Sequence, residues 1–185
     1  MNNRHPAQAG KGEKMKHLQR QREIAAQAIA NQMMMDTART GGSSRHGDGT
    51  QPAQGYAVAV LTCRPVTNAD DLQAVILSGY DREGIQSKRE FFGIWIDPIT
   101  GETMAEISEA IPEAVTALRN ARARNQYSVW SFADNREYTL AQLAEIVIRE
   151  AREREQAEIA GGLMTDARTQ AQPLDIWDRL RAELN

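Results

Sequence analysis

Of the ten aromatic residues in this chain of 185, nine lie between Tyr56 and Tyr138, and none precedes Tyr56. Aromatic side chains bury the largest areas and dominate cores. A packed core is therefore expected in the middle of the chain, with thinner extensions on both sides. Gly41, Gly42, Ser43, Ser44, Gly47, Gly49, Pro52 and Gly55 crowd into residues 40–55, a composition that reads as a flexible linker. The expected division is a basic, partly helical arm and linker over 1–54, a compact body over 55–160, and a linker with a short amphipathic helix over 161–185.

Charge divides the same way. Residues 1–54 carry eight basic and four acidic side chains, residues 55–138 eight and twelve, and residues 139–185 six and nine. A basic arm on an acidic body suits a polyanion or an acidic protein surface. Arginine outnumbers lysine 18 to 4, which reads mainly as the coding bias of a GC-rich genome. No run of 18 apolar residues is present, so no membrane-spanning helix is expected. The first residues lack the apolar stretch of a secretory signal. Cys63 is the single cysteine, which leaves no intrachain disulfide framework and no multi-cysteine zinc site. The expected setting is reducing and cytoplasmic.

Glu13 to Arg39 contains neither Gly nor Pro and is rich in helix formers. Met15, Leu18, Ala25, Ile29 and Met33 fall roughly on one stripe, interrupted by Arg22, which predicts a thinly amphipathic helix. Tyr56 to Cys63 is a continuous apolar run and reads as a buried central strand. Thr67 or Asn68 can cap a helix carrying Leu72, Val75 and Ile76 and ending at Gly79. Phe91 to Ile96 reads as a strand closed by the turn Asp97-Pro98-Ile99-Thr100-Gly101.

Residues 102–107 admit two readings. Met104, Ile107, Ile111, Val115 and Leu118 have helical spacing, and Thr103 with Glu106 would form a capping box. Pro112 opposes one straight helix, and the favoured reading pairs 102–107 with the Phe91 strand and starts a helix near Pro112. Tyr127 to Ala133 is the last expected strand, with Val129, Trp130 and Phe132 packing. Thr139 and Gln142 form a capping box for a long helix to about Ala160. Its first half is apolar on one face and its second half is laced with Glu/Arg pairs. The fold class is α+β: a small mixed sheet of three or four strands with two or three helices in the order β-α-β-(β)-α-β-α, matching the split pattern of ferredoxin-like domains, with helical extensions at both ends.

Most chemistries lack their residues. His5, His17 and His46 all fall in the arm and linker, where a catalytic imidazole would not be pre-organised. Cys63 reads as an inert core thiol. Asp70, Asp71, Asp81, Glu83, Asp97 and Glu102 lie near element ends, where carboxylate chemistry is the third reading. Asp70 and Asp71 are better explained as first-turn charges on a helix, and Asp97 as a turn residue. Neither phosphate-loop spacing is present, and Arg119, Arg122 and Arg124 read as C-terminal helix charges. Thr139 to Ala144 has no recognition helix after it. No cofactor and no metal are expected.

The leading expectation is a non-enzymatic interaction module, structural, adaptor or inhibitory, whose partner is another protein or a second copy of itself. Leu174, Trp177, Leu180 and Leu184 share one side of the terminal helix and resemble anchors for a groove. Arg149, Arg152 and Arg154 on the charged half-helix come second. The alternative is sequence-independent nucleic-acid binding through Lys11, Lys14, Lys16, Arg20 and Arg22, with strong salt dependence. The arm has no aromatic residue for stacking on bases, and its apolar face is too weak for a membrane surface.

Overall fold

The computed structural model describes residues 9–61 and 63–160. Along the chain these form α1 (Ala9–Thr40), β1 (Gly42–Arg45), β2 (Tyr56–Ala59), β3 (Arg64–Pro65), α2 (Ala69–Gly79) and α3 (Glu83–Gln86). There follow β4 (Glu90–Ile96), β5 (Thr103–Ile111), α4 (Ala114–Ala123), β6 (Ser128–Ser131), β7 (Arg136–Thr139) and α5 (Leu140–Ala160). The α+β class holds, but the described residues contain seven strands where three or four were expected, and five helices. They divide into two compact units, one of residues 9–52 and 59–109, the other of residues 53–58 and 110–160.

In the first unit β4 and β5 form a long antiparallel hairpin, Glu90 opposite Glu109 and Ile96 opposite Thr103. The strand reading of 102–107 is the one realised. Asp97 builds the turn: its carboxylate accepts the amides of Ile99 and Thr100 at 2.8 and 3.4 Å. Its carbonyl accepts the amide of Gly101, which takes a φ of 71°. β1 pairs with the outer edge of β4, and β3 with β5.

β1 lies inside the stretch whose composition reads as linker. Gly42 through Arg45 have little strand propensity of their own, and the open edge of β4 supplies the partner that the local sequence lacks. α1 is likewise part of a core. Ala26, Ile29, Ala30 and Met33 are buried with Leu72, Val75 and Ile76 of α2 and with Phe92, Ile94, Ala105 and Ile107 of the sheet. Gly79 lets α2 approach the sheet, since a Cβ there would lie 2.6 Å from Phe92. Asn68 caps α2, accepting the amides of Asp70 and Asp71 at 2.9 and 3.0 Å.

In the second unit β2 pairs with β6 and β6 with β7, all antiparallel. β7 is a strand that the sequence did not announce, because Arg136-Glu137-Tyr138-Thr139 is polar. Asp134 organises the β6–β7 turn. Its carboxylate accepts the hydroxyls of Ser131 and Tyr138 at 2.9 and 3.0 Å. α4 and α5 cover one face with Ala114, Ala117, Leu118, Ala121, Leu143, Ala144 and Val147 around Val58, Ile111 and Val129. Gly55 opens this unit with a φ of 86°, and a Cβ there would sit 2.8 Å from the carbonyl oxygen of Ile111.

Two expectations about β2 and β6 are corrected. The Tyr56 strand stops at Ala59, so Cys63 is exposed and not a core thiol. On β6 the inward residues are Val129 and Ser131, while Trp130 between them keeps 40% of its surface exposed. Alternation across a pleat places neighbours on opposite faces, and here it selects the serine over the tryptophan.

Candidate functional site

α1 spans 32 residues, but its burial starts late. Every described side chain from Gly12 to Gln21 is exposed, and the first buried one is Ala26. Successive helical residues turn by about 100°, so residues three, four and seven apart share a face. Met15, Leu18 and Arg22 thus continue, toward the N-terminus, the stripe that becomes Ala26, Ile29 and Met33. Met15 keeps 68% and Leu18 48% of their surface exposed. The core-facing stripe of α1 therefore runs beyond the core that it serves.

Where the covered part begins, Gln21, Arg22 and Ala25 line an open surface depression of about 390 Å³ together with Asp48, Tyr80, Ile85 and Lys88. Tyr80 stands edge-on to Phe92 at 6.2 Å between ring centres, and burial pushes its phenol up from the usual value. Arg22 donates to Asp81 at 2.7 Å, and Lys88 pairs with Asp48. Lys88, then Thr50, hold the Asp48 carboxyl well below the usual carboxylate range. The depression has apolar walls and two cations at its rim, each with a carboxylate beside it.

Lys14, Lys16 and Arg20 are exposed on α1, and Lys11 lies on the helix with its side chain outside the described residues. Glu13 precedes Lys16 by three positions and Glu23 follows Arg20 by three, a spacing at which opposite charges neighbour one another on a helix. The basic residues are thus interleaved with acids and with apolar Met15 and Leu18, so α1 carries no continuous cationic face. Arg149, Arg152 and Arg154 lie on the outer half of α5, where no residue after Ile148 is buried. Arg149 approaches Glu153 at 4.0 Å. At about 100° per residue Arg154 points away from Arg149 and Arg152. Leu174, Trp177, Leu180 and Leu184 lie outside the described residues.

The carboxylates picked from the sequence do not converge. Asp71 is held low by the hydroxyl and amide of Thr67, Asp81 and Glu83 pair with Arg22 and Arg89, and Asp97 serves its turn. The acid that stands out is one the sequence suggested only as a capping partner of Thr103, a reading excluded because both residues lie on β5. Glu106 on β5 takes the Ser108 hydroxyl as donor. Burial pushes its carboxyl up to about 7 against that hydrogen bond. Ser108 is fully buried, and Gly93 lies opposite Glu106 across the hairpin. Continuing the β3–β5 register by one residue brings Cys63 opposite Glu106. Burial first, and then the Glu106 charge, push the Cys63 thiol up. A raised thiol is a poor nucleophile, so the pair does not activate Cys63. The sequence signal was the pattern of β5, where Glu106 and Ser108 alternate with Ala105 and Ile107.

Among the described residues no three His, Cys, Asp or Glu side chains are placed to hold a metal ion, and no helix is long and apolar enough to cross a membrane. His46 is packed edge-on against Phe91, 6.1 Å between ring centres. Comparison with protein-family models, with curated proteins and with solved structures finds no match.

Proposed function

We propose that this protein is a non-enzymatic interaction module, structural, adaptor or inhibitory in role, that engages its partner through helices extending beyond their own cores. The observation that carries this reading is the unpartnered continuation of the α1 stripe, Met15 and Leu18, beside the depression at Gln21, Arg22 and Ala25. Met15 and Leu18 extend a buried stripe into solvent at helical spacing, the arrangement by which a helix offers an apolar face to a partner. With the two-residue β3 and the single-turn α3 set aside, the chain order β2-α2-β4-β5-α4-β6 follows the split β-α-β pattern. A ferredoxin-like body is part of the proposal, and it carries no activity of its own.

The test is light scattering over a range of concentrations on the full chain and on a Met15→Glu/Leu18→Glu double variant, with absorbance read at two wavelengths. Both side chains are exposed, so the variant should melt within a few degrees of the parent while its assembly is lost. If parent and variant run alike, α1 is not the working surface. Salt-sensitive co-elution with nucleic acid that survives the double substitution would move the function to Lys14, Lys16 and Arg20.

A further inference from the structure

The exposed end of α1 has a length and a pattern that select what covers it. The core first meets α1 at Arg22 and Glu23. Arg22 donates to Asp81 at 2.7 Å, and the Glu23 carbonyl accepts from Gln73 of α2 at 3.0 Å. From Ala9 to Gln21 the helix runs on past that point, for roughly 20 Å at 1.5 Å per residue. Met15 and Leu18 stand at the middle of this overhang and are the large apolar side chains among its described residues.

The charges keep clear of them. Met15, Leu18 and Arg22, three and four apart, form one stripe. At about 100° per residue Gln19 and Gly12 flank it on one side, Lys14 and Gln21 on the other, while Lys16 and Arg20 point away. Such a stripe is complementary to itself run backwards. With two copies of α1 antiparallel and centred between Lys16 and His17, Met15 of each meets Leu18 of the other. Lys14 then comes beside Gln21 and Gln19 beside Gly12, so no flanking pair sets like charges together. Lys11 comes level with Arg22 of the other copy, whose guanidinium Asp81 holds. Ala9 of each copy comes level with Ile24 of the other, where the core begins, so each overhang fills the space that the other leaves.

We infer that the overhang of α1 docks antiparallel on the same overhang of a second copy, with Met15 and Leu18 of both at the centre. The contact uses one surface twice and closes a two-fold dimer, and its short length suits the small, reversible class of interface. This pairing rests on the proposed role of α1 as a partner surface, and it adds the identity of the partner.

Cysteine pairing reads the arrangement. Lys14 and Gln21 are roughly 10 Å apart along one helix, and a disulfide needs Cα atoms within about 7 Å. A bond between cysteines at these positions therefore joins two chains. In a Cys63→Ser background, chains carrying Lys14→Cys and tagged chains carrying Gln21→Cys are mixed and oxidised. The mixed disulfide is expected in excess over either like pair. Like pairs in its place would mean parallel helices and overturn the register. No cross-link at all, while Met15→Glu/Leu18→Glu still abolishes assembly, would overturn the second copy of α1 as occupant and leave α1 as the partner surface.

Sedimentation velocity measures the strength of the contact. The expected result is a dimer whose dissociation constant rises by about 30-fold or more in Met15→Glu/Leu18→Glu. Two basic overhangs repel, and salt screens that repulsion, so the dimer should tighten several-fold between about 50 and 500 mM salt. A dimer that salt dissolves, or a parent chain that stays monomeric at high micromolar concentration, would overturn the pairing.

Discussion

The two units use different materials for the same task. The second is nearly all apolar inside: Val58, Ile111, Ala114, Ala117, Leu118, Ala121, Val129 and Leu143 pack together, and among its described residues Ser131 is the one buried polar residue. The first buries charge. Asp36 on α1 keeps only 8% of its surface and accepts from Gln32 and Arg39 at 3.0 Å and from Arg45 at 2.6 Å. Arg82 grips Glu90 with two hydrogen bonds of 2.6 and 2.9 Å, and Glu106 is enclosed beside β3. An apolar core is indifferent to pH and forgiving of alternative packings. Buried ion pairs have one satisfactory arrangement and are costly to break. In the first unit they sit where the sequence is weakest: Asp36–Arg45 ties β1, four residues of poor strand formers, to α1.

The sharpest way to break that contrast is Asp36→Ala, which leaves Arg45, its side chain 13% exposed, without the carboxylate it binds. A loss of about 3–5 kcal/mol is expected. Peptide-resolved hydrogen exchange should show it as lost protection in α1 and β1, with α4 and α5 unchanged. The counterpart in the second unit, Ser131→Ala, removes the hydroxyl that donates to the Asp134 carboxylate and should cost about 2 kcal/mol. Equal losses in the two variants would erase the distinction between the units.

A pH series draws the same contrast with a smaller effect. The Glu106 carboxyl is raised to about 7 from an ordinary 4.5. Below the lower value both folded and unfolded chains hold the proton, and the stability is fully present. As pH rises the unfolded chain releases the proton first, so stability falls until the folded carboxyl also ionises near 7, then levels off. The fall is about 3 kcal/mol at most, since one pKa unit corresponds to about 1.4 kcal/mol. Glu106→Gln keeps an acceptor for Ser108 and should flatten the slope and stabilise the first unit above pH 7. Urea titrations from pH 4 to 8 read both. A Gln variant that retains the slope would move its origin to another group.

What the sequence disclosed and what it withheld follow the same line. The β4–β5 hairpin, its Asp97 turn and the helices α2 and α4 were legible because local signals and burial agree there. β1 and β7 were not: Gly42-Ser43-Ser44-Arg45 and Arg136-Glu137-Tyr138-Thr139 become strands because β4 and β6 offer them open edges, and a linear pattern does not contain that information. The contribution of α1 to a core was muted because Ala26 and Ala30 add little to an apolar count while allowing close helix packing. Cys63 was misplaced by reading an apolar run as one continuous strand. Glu106 was missed because a single glutamate in a strand is ordinary, and only enclosure by its neighbours raises its carboxyl.

The start of α5 is where local sequence alone named both partners of an interaction, and it supports the smallest prediction. The amide of Thr139 donates to Gln142 Oε1 at 3.0 Å, and the amide of Gln142 donates to Thr139 Oγ1 at 3.3 Å. That is the reciprocal capping box expected from the Thr-x-x-Gln spacing. Thr139→Ala should destabilise the second unit by about 1 kcal/mol, and Thr139→Ser by much less. Each half of the box leaves one amide unsatisfied when its partner goes, so Gln142→Ala should add less than its single effect in the Thr139→Ala background. Chemical denaturation of the four chains measures this coupling. Strict additivity would mean that Thr139 and Gln142 act separately and that the helix start is held by the packing of Leu143 and Val147 instead.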